Sequence, residues 1–300
     1  MNLLRDIEEA RALLFSGAVV AIPTETVYGL GGNARDPLAI RSIYATKGRP
    51  AGHPVIVHLA DNADWDEWGV LDDNARALAD AFWPGPLTLI LPRREHVLNE
   101  VTGGRNTVGI RVPSHPTTQS LLRALGSGLA APSANRFGHI SPTTAEHVYA
   151  EFGNTVPILD GGPSKVGIES TIVDLSLERP ALLRPGFIDK DAIEAIVGPL
   201  GQSSTPAPGM LKSHYAPMTS LLLSEHPEVD RIRLQNEGRS VAILRATDPE
   251  AYARDLYAEL RRMDTLGVDI LIAEPAANTP LGAAINDRLT RAASKFSTDR

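Results

Sequence analysis

Cysteine is absent from all 300 residues. That excludes disulfides, thiolate-held zinc, iron–sulfur centres and a cysteine nucleophile, and an intracellular setting becomes the default reading. Positive charge is short as well: 36 acidic residues against 29 basic ones leave a formal charge of −7. Bulk electrostatic binding of nucleic acid is thereby disfavoured, although a local basic patch stays open. Long hydrophobic runs are missing. The run from Ala18 to Ile22 is far too short to span a bilayer, and Asp6, Glu8 and Glu9 interrupt what a signal peptide would need. Catalytic signatures are missing too. There is no phosphate-loop pattern, no His-Glu-x-x-His and no Gly-x-Ser-x-Gly, which lowers the case for a P-loop nucleotide site, a zinc hydrolase and a serine hydrolase. Aromatic residues are scarce at 5%, but 43% of the chain is apolar, so a real core forms and disorder of the whole is excluded.

What is there reads as alternating strands and helices. Leu3, Ile7, Ala10 and Leu14 fall at helical spacing. Strands are expected at Ala18–Ile22, Val55–His58, Leu87–Leu91, Thr107–Arg111, Leu129–Ala131, Val156–Asp160 and Ser170–Asp174, with another short one ending at Arg184. Helices are expected over Pro37–Thr46, Asp72–Phe82, Thr117–Leu125 and Thr143–Phe152, the last opened by a capping box from Thr143 to Glu146. This predicts an α/β fold with a twisted mixed sheet over residues 1–200. Residues 201–218, rich in Pro, Gly and Ser, read as a linker, although a pure spacer seldom needs Lys212, His214 and Tyr215. Residues 219–300 form a small Rossmann-like α/β unit: strands at Leu221–Leu223, Val241–Leu244 and Val268–Ala273, helices at Pro249–Arg262 and Leu281–Ala293. It contains no Gly-x-Gly-x-x-Gly, so no nucleotide site is assigned to it.

Five segments carry residues suited to chemistry. Lys47 is the only lysine before Lys165. With Arg49 it either satisfies a helix C-terminus or clamps a polyphosphate by point charge and fork. Pro23 to Gly31 follows a strand end, where α/β proteins put ligands; Thr24, Thr26 and Tyr28 either hold a polar substrate or cap a turn. Arg111, beside Gly109 on a strand, either reaches a carboxylate or is solvated. Ser133 and Asn135 follow another strand and fit a turn or a phosphate contact equally. Ser170 and Arg184 stand at strand ends. The histidine spacings form no zinc motif.

Together these strings resemble the Sua5/YciO/YrdC family in its long, two-domain form. PTETVYGLG, KGRP followed by HPVIVH, FWPGPLTLIL, TVGIRVPSHP, APSANRFGHISPTTAEHV, GIESTIVD, LRPG and PGMLKSHYAP occur in order over residues 1 to about 218. The resemblance implies a nucleotidyltransferase that makes L-threonylcarbamoyladenylate from L-threonine, bicarbonate and ATP, releasing pyrophosphate. Its product feeds modification of adenosine 37 in tRNA. It implies a YrdC-like first domain and a linker that crosses the active site, closing it during the reaction. By motif, Thr26, His58, Arg111, Ala131 and Ser170 surround threonine, with Arg111 on its carboxylate. Arg49, His53, Thr107, Ser133, Ser141, Arg184 and Tyr215 surround ATP, Lys47 lies against the phosphates, and Asn135 completes the Ser-x-Asn motif. Lys47, Arg49, Arg111, Ser133 and Asn135 are the catalytic set.

No protein ligand to a metal is expected; Mg2+ arrives on the ATP phosphates. No organic cofactor is implied. The product passes to a separate tRNA threonylcarbamoyl transferase complex in the cytoplasm, and the membrane plays no part. Two rivals stand beside this reading. One is a double-stranded RNA-binding module, reduced to a weak secondary activity by the net charge. The other is a paralogue that adenylates a different carbamate. The group that accepts the amine proton stays open between His58, a water relay and the substrate itself.

Overall fold

The computed structural model describes residues 1–201, 209 and 214–297, with side chains through residue 294. The chain opens with α1 (Ile7–Phe15), β1 (Val20–Ile22), β2 (Gly29–Asn33), α2 (Pro37–Lys47), β3 (Ile56–His58), α3 (Asp73–Phe82) and β4 (Leu87–Pro92). It continues through α4 (Asn99–Thr102), β5 (Thr107–Arg111), α5 (Pro116–Leu125), β6 (Leu129–Ala130), α6 (Ala145–Phe152), β7 (Thr171–Asp174), β8 (Ala181–Arg184) and α7 (Lys190–Val197). The eight strands form one sheet in the order β1-β2-β6-β3-β5-β4-β7-β8. Only β3–β5 and β4–β7 pair in parallel. The mixed sheet follows from that connectivity.

Alternation along the strands separates the two faces of this sheet. Val57, Val108, Ile110, Leu87, Leu89 and Val173 join one core with Ile40 and Ile43 of α2 and Leu78 of α3. The opposite face carries only a small apolar cluster of Ile56, Ile90, Ile172 and Leu183. Between those residues stand His58, Thr88, Arg111 and Ser170, all buried. A polar floor is therefore laid across β3, β5 and β4 to the start of β7.

The second unit comprises β9 (Ser220–Leu223), α8 (Pro227–Asn236), β10 (Val241–Leu244), α9 (Pro249–Asp264), β11 (Ile270–Ala273) and α10 (Pro280–Ser297). Its three strands are parallel in the order β10-β11-β9. The units share a core. Val27, Ile140 and Ile168 of the first pack with Tyr215 and with Tyr252, Leu256 and Tyr257 of α9.

Several sequence expectations change. Val156–Asp160 is not a strand; Ile158 makes only isolated bridges to Leu3 and Ala21, because Pro157 lacks a ladder donor and Gly161-Gly162-Pro163 breaks the run. The end of PTETVYGLG, read as a ligand-holding segment or a capping turn, opens β2. Its glycines hide the strand signal; at Gly32 a Cβ would lie 3.0 Å from Ile43 of α2, so the helix packs closely there. The cap of α6 is Thr144, which accepts from the His147 amide. Thr143 instead meets the His147 ring, so the expected capping box from Thr143 gives way to a simple cap one residue later. Helices α4, α7 and α8 were not expected. The expected linker lies largely outside the described residues, and so does Lys212.

Candidate active site

Arg111 ends β5 opposite His58 of β3 in the parallel register. Its guanidinium donates to Glu25 Oε1 at 2.6 Å, Thr26 Oγ1 at 2.9 Å and the Gly85 carbonyl at 3.2 Å. Thr24 builds the turn that presents Thr26: its hydroxyl donates to the Val27 carbonyl and accepts from the Val27 amide. Ser170 sits across the floor, its Oγ 2.8 Å from Thr88 Oγ1. Arg184 reaches from β8 and donates to both the carbonyl and the Oγ of Ser170. Burial and the adjacent Arg111 push the His58 imidazole down to about 3, so the ring is neutral at working pH.

The other end of the cleft is cationic. Lys47, the last residue of α2, donates to the carbonyls of Ser133 and Asn135, tying the helix to the Ser-x-Asn loop. Burial and then Arg49 push its ammonium well below the ordinary lysine range. Arg49 donates to the Pro54 carbonyl and lies over the Phe137 ring; burial lowers it and Arg184 alike. Lys47 and Arg49 form no salt bridge among the described residues. Desolvated cations without carboxylates are costly, and a polyanion offsets that cost.

From above, His214 and Tyr215 cover the cleft. Tyr215 is held at φ 61, a left-handed conformation that bulky side chains rarely take. Its ring stacks on Tyr257 of α9 at 5.8 Å. Gly209 presses so close that a Cβ there would meet the Tyr215 hydroxyl at 2.1 Å. Burial pushes the Tyr215 hydroxyl up to about 12 and the His214 ring down to about 3. Among the described residues, Arg49 Nε, His58 Nδ1, His214 Nδ1 and Tyr215 OH, all from residues lining one cleft, are buried without a hydrogen-bond partner. Buried polar groups are otherwise satisfied, so their convergence marks a ligand site.

One cavity of about 50 Å³ brings together Thr26, His58, Arg111, Ala131, Ser170, Arg49, Ser133, Arg184 and Tyr215. Five expected site residues stand outside its lining. Lys47 and Asn135 lie one layer behind Ser133. Ser141 donates its hydroxyl to Glu169 at 2.6 Å. His53 packs edge-on against Phe137, and Thr107 opens β5 at the end remote from Arg111. Sequence reasoning missed Glu25 and Glu169. Both lie inside recognised strings, but their arginine partners are 86 and 119 residues away, and no local spacing reveals such pairs.

A model for the Sua5, YciO and YrdC family, described as "Telomere recombination", matches residues 12–186. A second, described as "Threonylcarbamoyl-AMP synthase, C-terminal domain", matches residues 188–294. The chain is 42% identical to the threonylcarbamoyl-AMP synthase of Bacillus subtilis over 96% of this chain and 92% of that one. It is 38% identical to the threonylcarbamoyl-AMP synthase of Pyrococcus abyssi over 97% and 96%. The crystal structure of P. abyssi Sua5 complexed with L-threonine superposes with a TM-score of 0.90 at 37% identity, covering 96% of this chain and 94% of that one.

Proposed function

The chain belongs to the Sua5/YciO/YrdC family in its long, two-domain form, and on that premise we propose that this cleft makes L-threonylcarbamoyladenylate from L-threonine, bicarbonate and ATP. The observation that carries the reading is the polarity of the cleft. One end is a floor of Thr26, Ser170 and an Arg111 paired with Glu25, with Arg184 hydrogen-bonded to Ser170 at its edge; the other end holds the buried cations Lys47 and Arg49. An amino-acid carboxylate suits the Arg111 fork, and a triphosphate suits the cations.

Threonine lies over Thr26, His58, Ala131 and Ser170 with its carboxylate on Arg111. ATP lies along Arg49, Ser133, Arg184 and Tyr215, with His53, Thr107 and Ser141 further out. Threonine's neutral amine attacks the carbon of CO2 drawn from bicarbonate; an N–C bond forms and the amine proton leaves to water. An oxygen of the new carbamate attacks the α-phosphorus, and the bond to pyrophosphate breaks. No covalent enzyme intermediate is needed, because the work is alignment and charge neutralisation. Lys47 serves it by fixing the Ser133–Asn135 loop as well as by its charge.

Among the described residues no group of three or more metal-ligating side chains converges, and the lining carboxylate, Glu169, is taken up by Arg288, Tyr257 and Ser141. In this reading Mg2+ enters as part of the substrate, held by the phosphates of ATP. A volume of about 50 Å³ has room for a few waters and not for a nucleotide, so His214 and Tyr215 move aside to admit ATP. Residues 1–200 act as the catalytic unit, His214 and Tyr215 as its cover and residues 219–300 as the docking unit. The product passes to a separate transferase acting on tRNA, and we place the reaction in the cytoplasm. No helix among the described residues is long and apolar enough to cross a membrane.

Pyrophosphate release tests this directly. With ATP and Mg2+ present, release requires both L-threonine and bicarbonate. Equal release when either is omitted overturns the reading.

A further inference from the structure

Arg288 lies on the apolar face of α10. Ala284, Ile285, Leu289 and Ala292 flank it in the core, and Arg288 is itself fully buried. A charge at such a position costs stability unless it is paired, and an apolar residue of similar volume usually holds two elements together as well or better. Cohesion of the units therefore does not account for the arginine.

Its shorter contacts are with the first unit, beside longer ones of 3.4 Å within α10 to the Asp287 carboxylate and the Ala284 carbonyl. Nε donates to Glu169 Oε2 at 3.1 Å, and the terminal nitrogens donate to the Glu169 and Pro185 carbonyls. The guanidinium also faces the Tyr215 ring at 5.8 Å. Tyr257 of α9 donates to the same carboxylate at 2.9 Å. Glu169 lines the cleft and accepts the Ser141 hydroxyl. The pair thus touches three expected ATP neighbours: Ser141 through the carboxylate, Arg184 through the next residue's carbonyl, and Tyr215 through its ring. Burial opposes the charge on each member. Arg288 and then Arg184 nevertheless hold the Glu169 carboxyl below its ordinary range, and Tyr215, Glu169 and Tyr257 keep Arg288 protonated.

We propose that Arg288 is a positioning residue for the nucleotide: docking of the second unit brings Arg288 against Glu169, neutralising the carboxylate that lines the cleft and leaving Arg49 and Arg184 to the triphosphate. This rests on the adenylate-forming reading above. It gives a unit that presents no substrate-binding motif of its own a defined electrostatic task.

The test is a charge-compensating pair in the full-length chain, read by the Kd of ATP with Mg2+ in the absence of threonine and by the two KM values. Arg288→Met is expected to weaken ATP at least tenfold while the KM for threonine moves less than twofold. Adding Glu169→Gln to Arg288→Met removes the unneutralised charge and is expected to restore ATP affinity to within about threefold of wild type. An Arg288→Met protein that binds ATP normally overturns the proposal, as does a folded double variant no better than the single. Should the single variant not fold, the double variant decides: wild-type-like ATP binding supports the proposal and weak binding overturns it. Wild-type protein that binds ATP but shows no threonine-dependent pyrophosphate release overturns the underlying reading instead.

Discussion

The two sheets of this molecule are both α/β structures, yet only one of them can floor a reaction site. The three-stranded parallel sheet is covered on both faces, and Ile270, Leu271, Ile272 and Ala273 of its central strand are all buried apolar residues. Parallel sheets fed by crossover helices are closed in this way. The eight-stranded mixed sheet packs one face under α2 and α3 and leaves the other to His58, Thr88, Arg111 and Ser170. Polar side chains at alternate positions become a cleft only where helices do not cover them. The second unit consequently reaches the cleft through helices, with Tyr257 from α9 and Arg288 from α10, rather than through its strands.

The sharpest way to break this contrast is at Arg111. Arg111→Ala leaves Glu25 buried without its partner, for which about 3 kcal/mol of stability is expected to be lost, together with at least a hundredfold in kcat/KM for threonine. Denaturant midpoints and pyrophosphate release measure the two. Arg111→Lys keeps the charge but not the fork, and recovers more stability than activity.

Acid separates the sheets next. Burial pushes His58 and His214 down to about 3 and His147 down to about 4, against an ordinary value near 6.5. Each folded-state value is depressed, so the stabilisation is present above pH 6.5 and is lost as pH falls from there toward 4 and 3. No buried histidine lies in the second unit among the described residues; His226 is exposed. Hydrogen-exchange protection, corrected for the intrinsic slowing of exchange in acid, is expected to fall between pH 6.5 and 4 in β3 and α6 before it does in β9, β10 and β11. Equal loss of protection in both sheets would remove the histidines as its cause.

The smallest effect belongs to a cap. Asp248 opens α9 by accepting from the Glu250 and Ala251 amides. Asp248→Ala is expected to cost about 1 kcal/mol in thermal unfolding and to leave both KM values unchanged, since the cap lies two turns from Tyr257 on the same helix.

Much of the cleft was legible beforehand, because short ordered strings such as TVGIRVPSHP and APSANRFGHISP carry both a strand and the side chain it presents. Arg111 and Ser133 were identified on that basis and line the same cavity. Lys47 is placed against the phosphates by the resemblance, its charge alone leaving a helix C-terminus equally open; that it also anchors the Ser133–Asn135 loop depends on contacts 86 and 88 residues away in the chain. Strand β2 escaped notice because close packing beneath a helix selected glycine, the residue that least signals a strand.

Periodicity and local motifs determined the existence of the two α/β units, most helices, and which residues are chemically able to bind a carboxylate or a triphosphate. Those properties depend on neighbours in sequence. The tertiary structure alone decided that Glu25 neutralises Arg111, that Glu169 meets Arg288, and that Tyr215 is pressed into a left-handed conformation over the site. Each is set by a contact between residues far apart in the chain, where burial turns an ordinary charge or ring into a strongly coupled group.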